Sequence, residues 1–284
     1  IKSRFSNLCI LGLCFLYACV RGKANKEPKV TKRILVIQGA KLGDMVCTTP
    51  MFRAIKLRYP QAVLCVGGNR INQSLLEHNP DVDQYLVLEQ GFVANFKHIR
   101  NAKPNYIAIT SPHFIYAAVA YLAGVPMIVV PQITGGFTPY ETRSYKLLRK
   151  LLVVKPHCMG HYAPLEYLKL LEPLDIRTTD TKKHLGFSKT AIEKVDQLYM
   201  ERGFVAGKDL IVGISASAGN KIKKWSAKSF AEVATHLYQK YHAKLVIVGG
   251  RGDLSETAEM LSFLSKDIPV YDTVNQLSVD ELKA

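Results

Sequence analysis

The segment Arg33-Ile-Leu-Val-Ile-Gln-Gly-Ala-Lys-Leu-Gly-Asp44-Met-Val-Cys-Thr-Thr-Pro50 sets the architecture of the whole chain. Residues 34–38 are apolar on both faces, as in a strand buried inside a parallel sheet. Gly39 and Gly43 follow, with Lys41 between them and Asp44 directly after. Thr49 then reads as an N-cap and Pro50 as the first residue of a helix. A charged loop carrying Lys41, Gly43 and Asp44 thus lies beyond the carboxyl end of a first strand, where open α/β sheets place their ligands.

The same pattern repeats downstream. Residues 62–66, 84–88, 105–110 and 126–130 read as strands, separated by helical stretches at 52–59, through Leu75 and Leu76, at 92–99 and at 113–123. Residues 131–140 have loop composition, and 141–154 and 161–171 read as helices. Pro173 and the polar run 177–183 suggest a domain boundary, after which the pattern restarts. Strands at 209–214, 244–248 and 269–271 alternate with helices at 190–202, after Ser226 and at 256–264, and Ser278 caps a last helix. Such alternation predicts largely parallel, doubly wound sheets in an α/β protein. The expected division is a segment 1–32, a domain 33–175 and a second domain 176–284.

At 284 residues the chain is long enough for two cores, and its composition is that of a globular protein. The net charge of +15 is unevenly placed: residues 1–60 hold twelve Lys and Arg against Glu27 and Asp44 alone. Residues 8–20 carry no charge and as a helix would span ~20 Å, short of a ~30 Å hydrocarbon core. Lys2 and Arg4 precede the run, and Arg21, Lys23, Lys26, Lys29, Lys32 and Arg33 follow it. A basic end beside an apolar run points to an anionic membrane surface rather than nucleic acid, and the charge bias keeps the folded part on the cytoplasmic side. Whether the run spans the membrane or lies on it stays open. The six cysteines have neither zinc nor redox spacing and read as reduced thiols. The histidines show no metal spacing, so no metal site is expected.

Two loops carry candidate chemistry. The first is neither a Walker A loop nor a G-x-G-x-x-G fingerprint, and its Asp44 reads from spacing as a cap or turn residue before it reads as a base. The second, residues 215–220, offers Ser215, Ser217 and Gly219 before a helix, with Lys221, Lys223 and Lys224 beside them, a set suited to a diphosphate or to a solvated basic turn. Asp253 and Glu256, beside Gly249 and Gly250, suit a ribose diol or simply a helix N-terminus that favours acids. Trp225 reads as a packing anchor.

Together these motifs resemble a known family. Residues 34–50, with the Leu42-Gly-Asp44 core and the Thr48-Thr-Pro50 ending, resemble the opening of glycosyltransferase family 9, the bacterial lipopolysaccharide heptosyltransferases. Residues 215–225 resemble that family's Lys-x-Trp phosphate loop, and Val246-Ile-Val-Gly-Gly250 its next strand and turn. The resemblance implies a GT-B fold, with the acceptor in a first Rossmann-like domain and the nucleotide sugar in a second. It implies inverting transfer of a heptose from ADP-heptose to a lipid-linked core saccharide at the cytoplasmic membrane face, with no cofactor or catalytic metal. On this reading Asp44 is the base, Lys41 and Gly43 belong to the acceptor loop, and Lys223 binds the donor diphosphate with Ser215, Ser217 and Gly219. Asp253 and Glu256 are the alternatives for the ribose. Other nucleotide sugars, or a non-catalytic binding role, are compatible with the same fold. Ser226 stands where the family usually has Pro. The family's later Asp-x-Gly-x-x-His motif has no counterpart, so the second domain is expected to be incomplete, and a chain beginning with Ile is expected to lack its true start.

Overall fold

A computed structural model describes residues 2–25, 32–88, 91–205 and 207–284, with only the backbone of 2–5 and 221. The chain divides into two compact units, residues 1–186 and 187–284. The first contains α1 (Lys2–Arg21), β1 (Arg33–Ile37), α2 (Leu42–Arg58), β2 (Val63–Gly68), α3 (Arg70–Leu76), β3 (Gln84–Val87), α4 (Phe92–Ala102), β4 (Tyr106–Ile109), α5 (Phe114–Leu122), β5 (Met127–Gly135), α6 (Arg143–Leu148), β6 (Val153–Cys158) and α7 (Ala163–Leu168). The second contains α8 (Lys189–Glu201), β7 (Ile211–Ile214), α9 (Ala227–Tyr241), β8 (Lys244–Ile247), α10 (Leu254–Ser262), β9 (Val270–Asp272) and α11 (Val279–Lys283).

The expectation of an α/β protein with doubly wound parallel sheets holds. The first sheet is parallel throughout, in the order β3-β2-β1-β4-β5-β6. Ile34, Leu35, Val36 and Ile37 are fully buried at its centre, which is why that run shows no polar alternation. Strand order reverses between β1 and β4, and the crevice beyond such a switch point is where ligands bind. The second sheet is parallel in the order β7-β8-β9, with Ile214, Leu245, Ile247, Ala234 and Met260 in its core.

Several local expectations are corrected. Helix α2 begins at Leu42, not at Thr49, so Pro50 lies inside it. The Val46 carbonyl, which loses its backbone donor to Pro50, accepts a hydrogen bond from the Thr49 hydroxyl at 2.8 Å. The Thr-Pro pair that reads as a helix start is therefore an internal repair. Residues 153–158, of which 153 and 154 are expected to end a helix, form the edge strand β6, where Pro156 is tolerated for want of an outer neighbour. Strand β5 continues through residues expected as loop. Residues 176–186 stay with the first unit: Asn79 donates to the His184 carbonyl at 2.8 Å, and the His184 N–H donates to the Thr49 hydroxyl at 3.0 Å.

The apolar N-terminal run is not a detached segment. Ile10, Leu11 and Cys14 are buried in the core of the first unit. Arg21 donates to the carbonyls of Tyr121 and Val125, and its guanidinium lies 4.5 Å from the Tyr121 ring centroid. Leu8, Leu13, Leu16 and Val20 stay exposed on the outer face. Among the described residues no helix is long and apolar enough to cross a membrane. Of the basic linker expected over residues 21–32, half, residues 26–31, lies outside the described residues.

Candidate active site

In the first unit the site is built around the end of β1. Gln38 is 1% exposed, and its amide joins the loop to the helix: the side-chain oxygen accepts from the Ala40 N–H at 3.1 Å, and the nitrogen donates to the Thr48 hydroxyl at 3.1 Å. Ala40 is held from the other side, its carbonyl accepting from Asn69 and Asn72, each at 3.0 Å. Lys41 is the N-cap residue of α2. Gly43 and Asp44 therefore sit in the helix's first turn rather than in an open loop. The helix dipole favours a carboxylate there. Asp44 is partly exposed, and among the described residues its carboxylate has no hydrogen-bond donor or ion-pair partner.

Two sets of residues that sequence reading missed flank this turn. Tyr167 on α7 lies close enough to feel Asp44: burial first, then the Asp44 charge, pushes its phenol up to about 12. It is therefore a neutral hydroxyl at physiological pH, in hydrogen-bond contact with Gln38 and stacked on His157 with centroids 5.9 Å apart. On the switch-point side, a cavity of about 470 Å³ is lined by Gly39, Ala40, Asn95, Ser111, His113, Ile115, Tyr116 and Tyr140. A Cβ at Gly39 would lie 2.9 Å from the Tyr116 ring, so a residue without a side chain is needed for the ring to close on the loop. No local signal marks His113, Tyr116 or Tyr140. Only the pairing of β1 with β4 brings their segments to Gly39.

In the second unit, the loops after β7, β8 and β9 gather at the carboxyl edge of the sheet. Ser217 donates to Asp253, whose other oxygen accepts from the Gly250 N–H at 2.8 Å. Asp253 thus ties the loop after β7 to the loop after β8. Lys224 pairs with Glu256, and this ion pair, with a hydrogen bond from Ser255, holds the Glu256 carboxyl down to about 2. Lys223 ends a short 3-10 turn whose N–H bonds the Asn220 carbonyl at 2.9 Å; its side chain is exposed, with no carboxylate partner among the described residues. Ser215 and Gly219 are exposed beside it, and α9 follows, capped by Ser226. Trp225 is half-exposed and packs edge-on against Phe230 within its own unit, with centroids 5.0 Å apart. The loop after β9, where Thr273 donates to the Ile247 carbonyl at 2.7 Å, was not singled out from the sequence. Among the described residues no group of three His, Cys, Asp or Glu side chains converges as a metal site would require.

Comparison with known proteins agrees with this architecture. No protein-family model matches the sequence. The glycosyltransferase family 9 protein of Veillonella parvula superposes with a TM-score of 0.71 at 18% identity, over 91% of this chain and 73% of that one. The ADP-heptose lipopolysaccharide heptosyltransferase II of Escherichia coli superposes with a TM-score of 0.65 at 18% identity, over 88% and 75%. The fold is therefore that of the GT-B glycosyltransferases of family 9. Among curated proteins, the chain is similar to lipopolysaccharide heptosyltransferase 3 of Escherichia coli K12, 21% identical over 74% of this chain, and to heptosyltransferase 2, 25% identical over 83%. It spans 61% of the length of the former and 68% of the latter.

Proposed function

We propose that this chain belongs to a glycosyltransferase of lipopolysaccharide core synthesis, one that moves a heptose from ADP-heptose to a lipid-linked saccharide with inversion. The observation that carries the reading is an Asp44 carboxylate without a partner among the described residues, presented by the first turn of α2 beyond the central strand of a family 9 fold. Its relatives' names supply the substrate class. In this reading Asp44 accepts the proton of the acceptor hydroxyl as that oxygen bonds to the anomeric carbon. The bond from that carbon to the nucleoside diphosphate breaks on the opposite face. Charge gathers on the leaving diphosphate, where Lys223, the backbone near Gly219 and the N-terminus of α9 stabilise it. Asp253 is occupied in joining two loops, so Glu256, released from Lys224, is the better placed acid for the ribose hydroxyls.

The same reading places the enzyme at the cytoplasmic membrane face. The outer side of α1, with Phe92, Phe96 and Leu122, lines an apolar groove of about 440 Å³, and Lys97 and Arg100 are exposed on α4. An apolar strip beside cations suits an anionic bilayer. Incubation of the full-length protein with a panel of nucleotide sugars and a core acceptor, followed by mass detection of released nucleotide, tests the proposal. ADP release from ADP-heptose alone is expected. Release from a different donor reassigns the substrate, and release from none removes the catalytic reading.

A further inference from the structure

The switch-point cavity of the first unit has a polar yet uncharged lining. Its eight lining residues include no Lys, Arg, Asp or Glu. The His113 ring stacks on Tyr116 with centroids 4.1 Å apart and planes 25° apart, and Tyr140 lies 6.4 Å from His113 on the outer side. The Tyr116 N–H donates to His113 Nδ1 at 3.4 Å, which leaves Nε2 as the proton-bearing nitrogen. Burial holds His113 below the usual imidazole range, so the ring is uncharged at neutral pH. That contact also occupies one of the first-turn N–H groups of α5, which would otherwise favour an anion. Asn95, buried at 1% exposure, and Ser111 complete the polar lining.

Such a wall is suited to one ligand chemistry. Pyranose rings present apolar C–H faces that pack on aromatic rings, and their hydroxyls need uncharged donors and acceptors such as amide, hydroxyl and imidazole groups. A phosphate or carboxylate would need Arg, Lys or several free N–H groups, and entering this cavity it would lose water without gaining a counter-charge. The volume falls within the ~300–1,000 Å³ typical of small-molecule sites. We infer that this cavity receives the uncharged, non-phosphorylated sugar terminus of the acceptor, stacked against Tyr140 and the His113–Tyr116 pair. This rests on the transferase reading above for the word acceptor, but the sugar-binding claim stands by itself.

Binding, rather than turnover, separates the two. Saturation-transfer NMR and calorimetry with the whole chain would compare neutral di- and trisaccharides in several configurations with the same compounds bearing a terminal phosphate monoester. At least one neutral compound is expected to bind, and its phosphorylated counterpart to bind about 10-fold more weakly or worse. Tyr140, which is exposed, can be replaced without touching the core; Tyr140→Ala should weaken the neutral sugar about 10-fold. His113→Gln, which keeps an uncharged cap acceptor, should weaken it less. Asp44→Asn should lose turnover and retain sugar binding; retained turnover would break the base assignment alone, and absent neutral-sugar binding would break this inference alone. Equal or tighter binding of the phosphorylated compound, binding indifferent to Tyr140→Ala in a protein with unchanged melting, or no binding of any neutral sugar would overturn it.

Discussion

The loop after β1 and the loop after β7 leave equivalent edges of their sheets, yet they are built in opposite ways. The first is anchored by a buried amide: Gln38 bonds Ala40 and Thr48, Asn69 and Asn72 hold the Ala40 carbonyl, and uncharged aromatic rings close the side. The second is held by side chains that are themselves candidates for binding, in the pairs Ser217–Asp253 and Lys224–Glu256. A loop fixed by backbone and buried polar groups is ready before a ligand arrives. A loop whose cation rests on an internal carboxylate must exchange partners, and exposed pairs exchange at little net cost. The first arrangement suits a base that must be correctly placed. The second suits a site for an anion that comes and goes.

The strongest test of this contrast is Asp44→Asn. It keeps the shape of the turn and removes basicity, so turnover should fall by ~10²–10⁴ while donor affinity, measured by calorimetry, stays within a few-fold. Turnover close to that of the parent would reduce Asp44 to a helix-terminal residue. Deleting residues 1–32 attacks the rigidity of the first unit. At ~1.5–3 kcal/mol for each large buried apolar side chain, Ile10 and Leu11 together contribute ~3–6 kcal/mol, an upper range given residual burial in the unfolded chain. A clear drop in denaturant midpoint is expected, and an unchanged midpoint would mean that α1 does not pack on the domain in solution.

On the donor side, Lys223→Ala should slow transfer by ~10²-fold and weaken nucleotide binding, whereas Lys224→Ala should do less because its charge is already met by Glu256. The reverse ranking would exchange their roles. The smallest effect concerns acid. His113 in the folded chain titrates below its unfolded value of about 6.5, so the unfolded state binds its proton first as pH falls. Its contribution is therefore fully present above pH ~6.5 and lost as pH drops towards the folded value, with a slope of at most ~1.4 kcal/mol per pH unit. His113→Gln should flatten the pH dependence of unfolding between pH 7.5 and 5.5 relative to the parent. Identical profiles would mean that the imidazole is not buried.

Much of the fold was legible from local pattern. Residues 34–37 read as a buried central strand because both faces are apolar, and both faces are indeed covered. The loops carrying Asp44 and Lys223 stood out because charged and small residues follow such strands. The misreadings also have local causes. Thr49-Pro50 has the composition of a helix start, and only the hydroxyl contact to Val46 distinguishes it from one. Residues 151–154 are apolar enough to extend a helix, and only a place beside β5 makes β6 a strand.

By itself, then, the sequence determined most of the strands and helices, the α/β class, and the placing of a carboxylate after the first strand and lysines after the seventh. These follow from periodicity and residue type, which act over a few residues. Tertiary structure alone decided that β4 pairs with β1, so that His113, Tyr116 and Tyr140 meet Gly39, and that α7 carries Tyr167 to Asp44. It also decided that one face of α1 is core while the other stays open. Strand order and helix docking are settled by burial summed over residues far apart in the chain, and no short stretch of sequence records that sum.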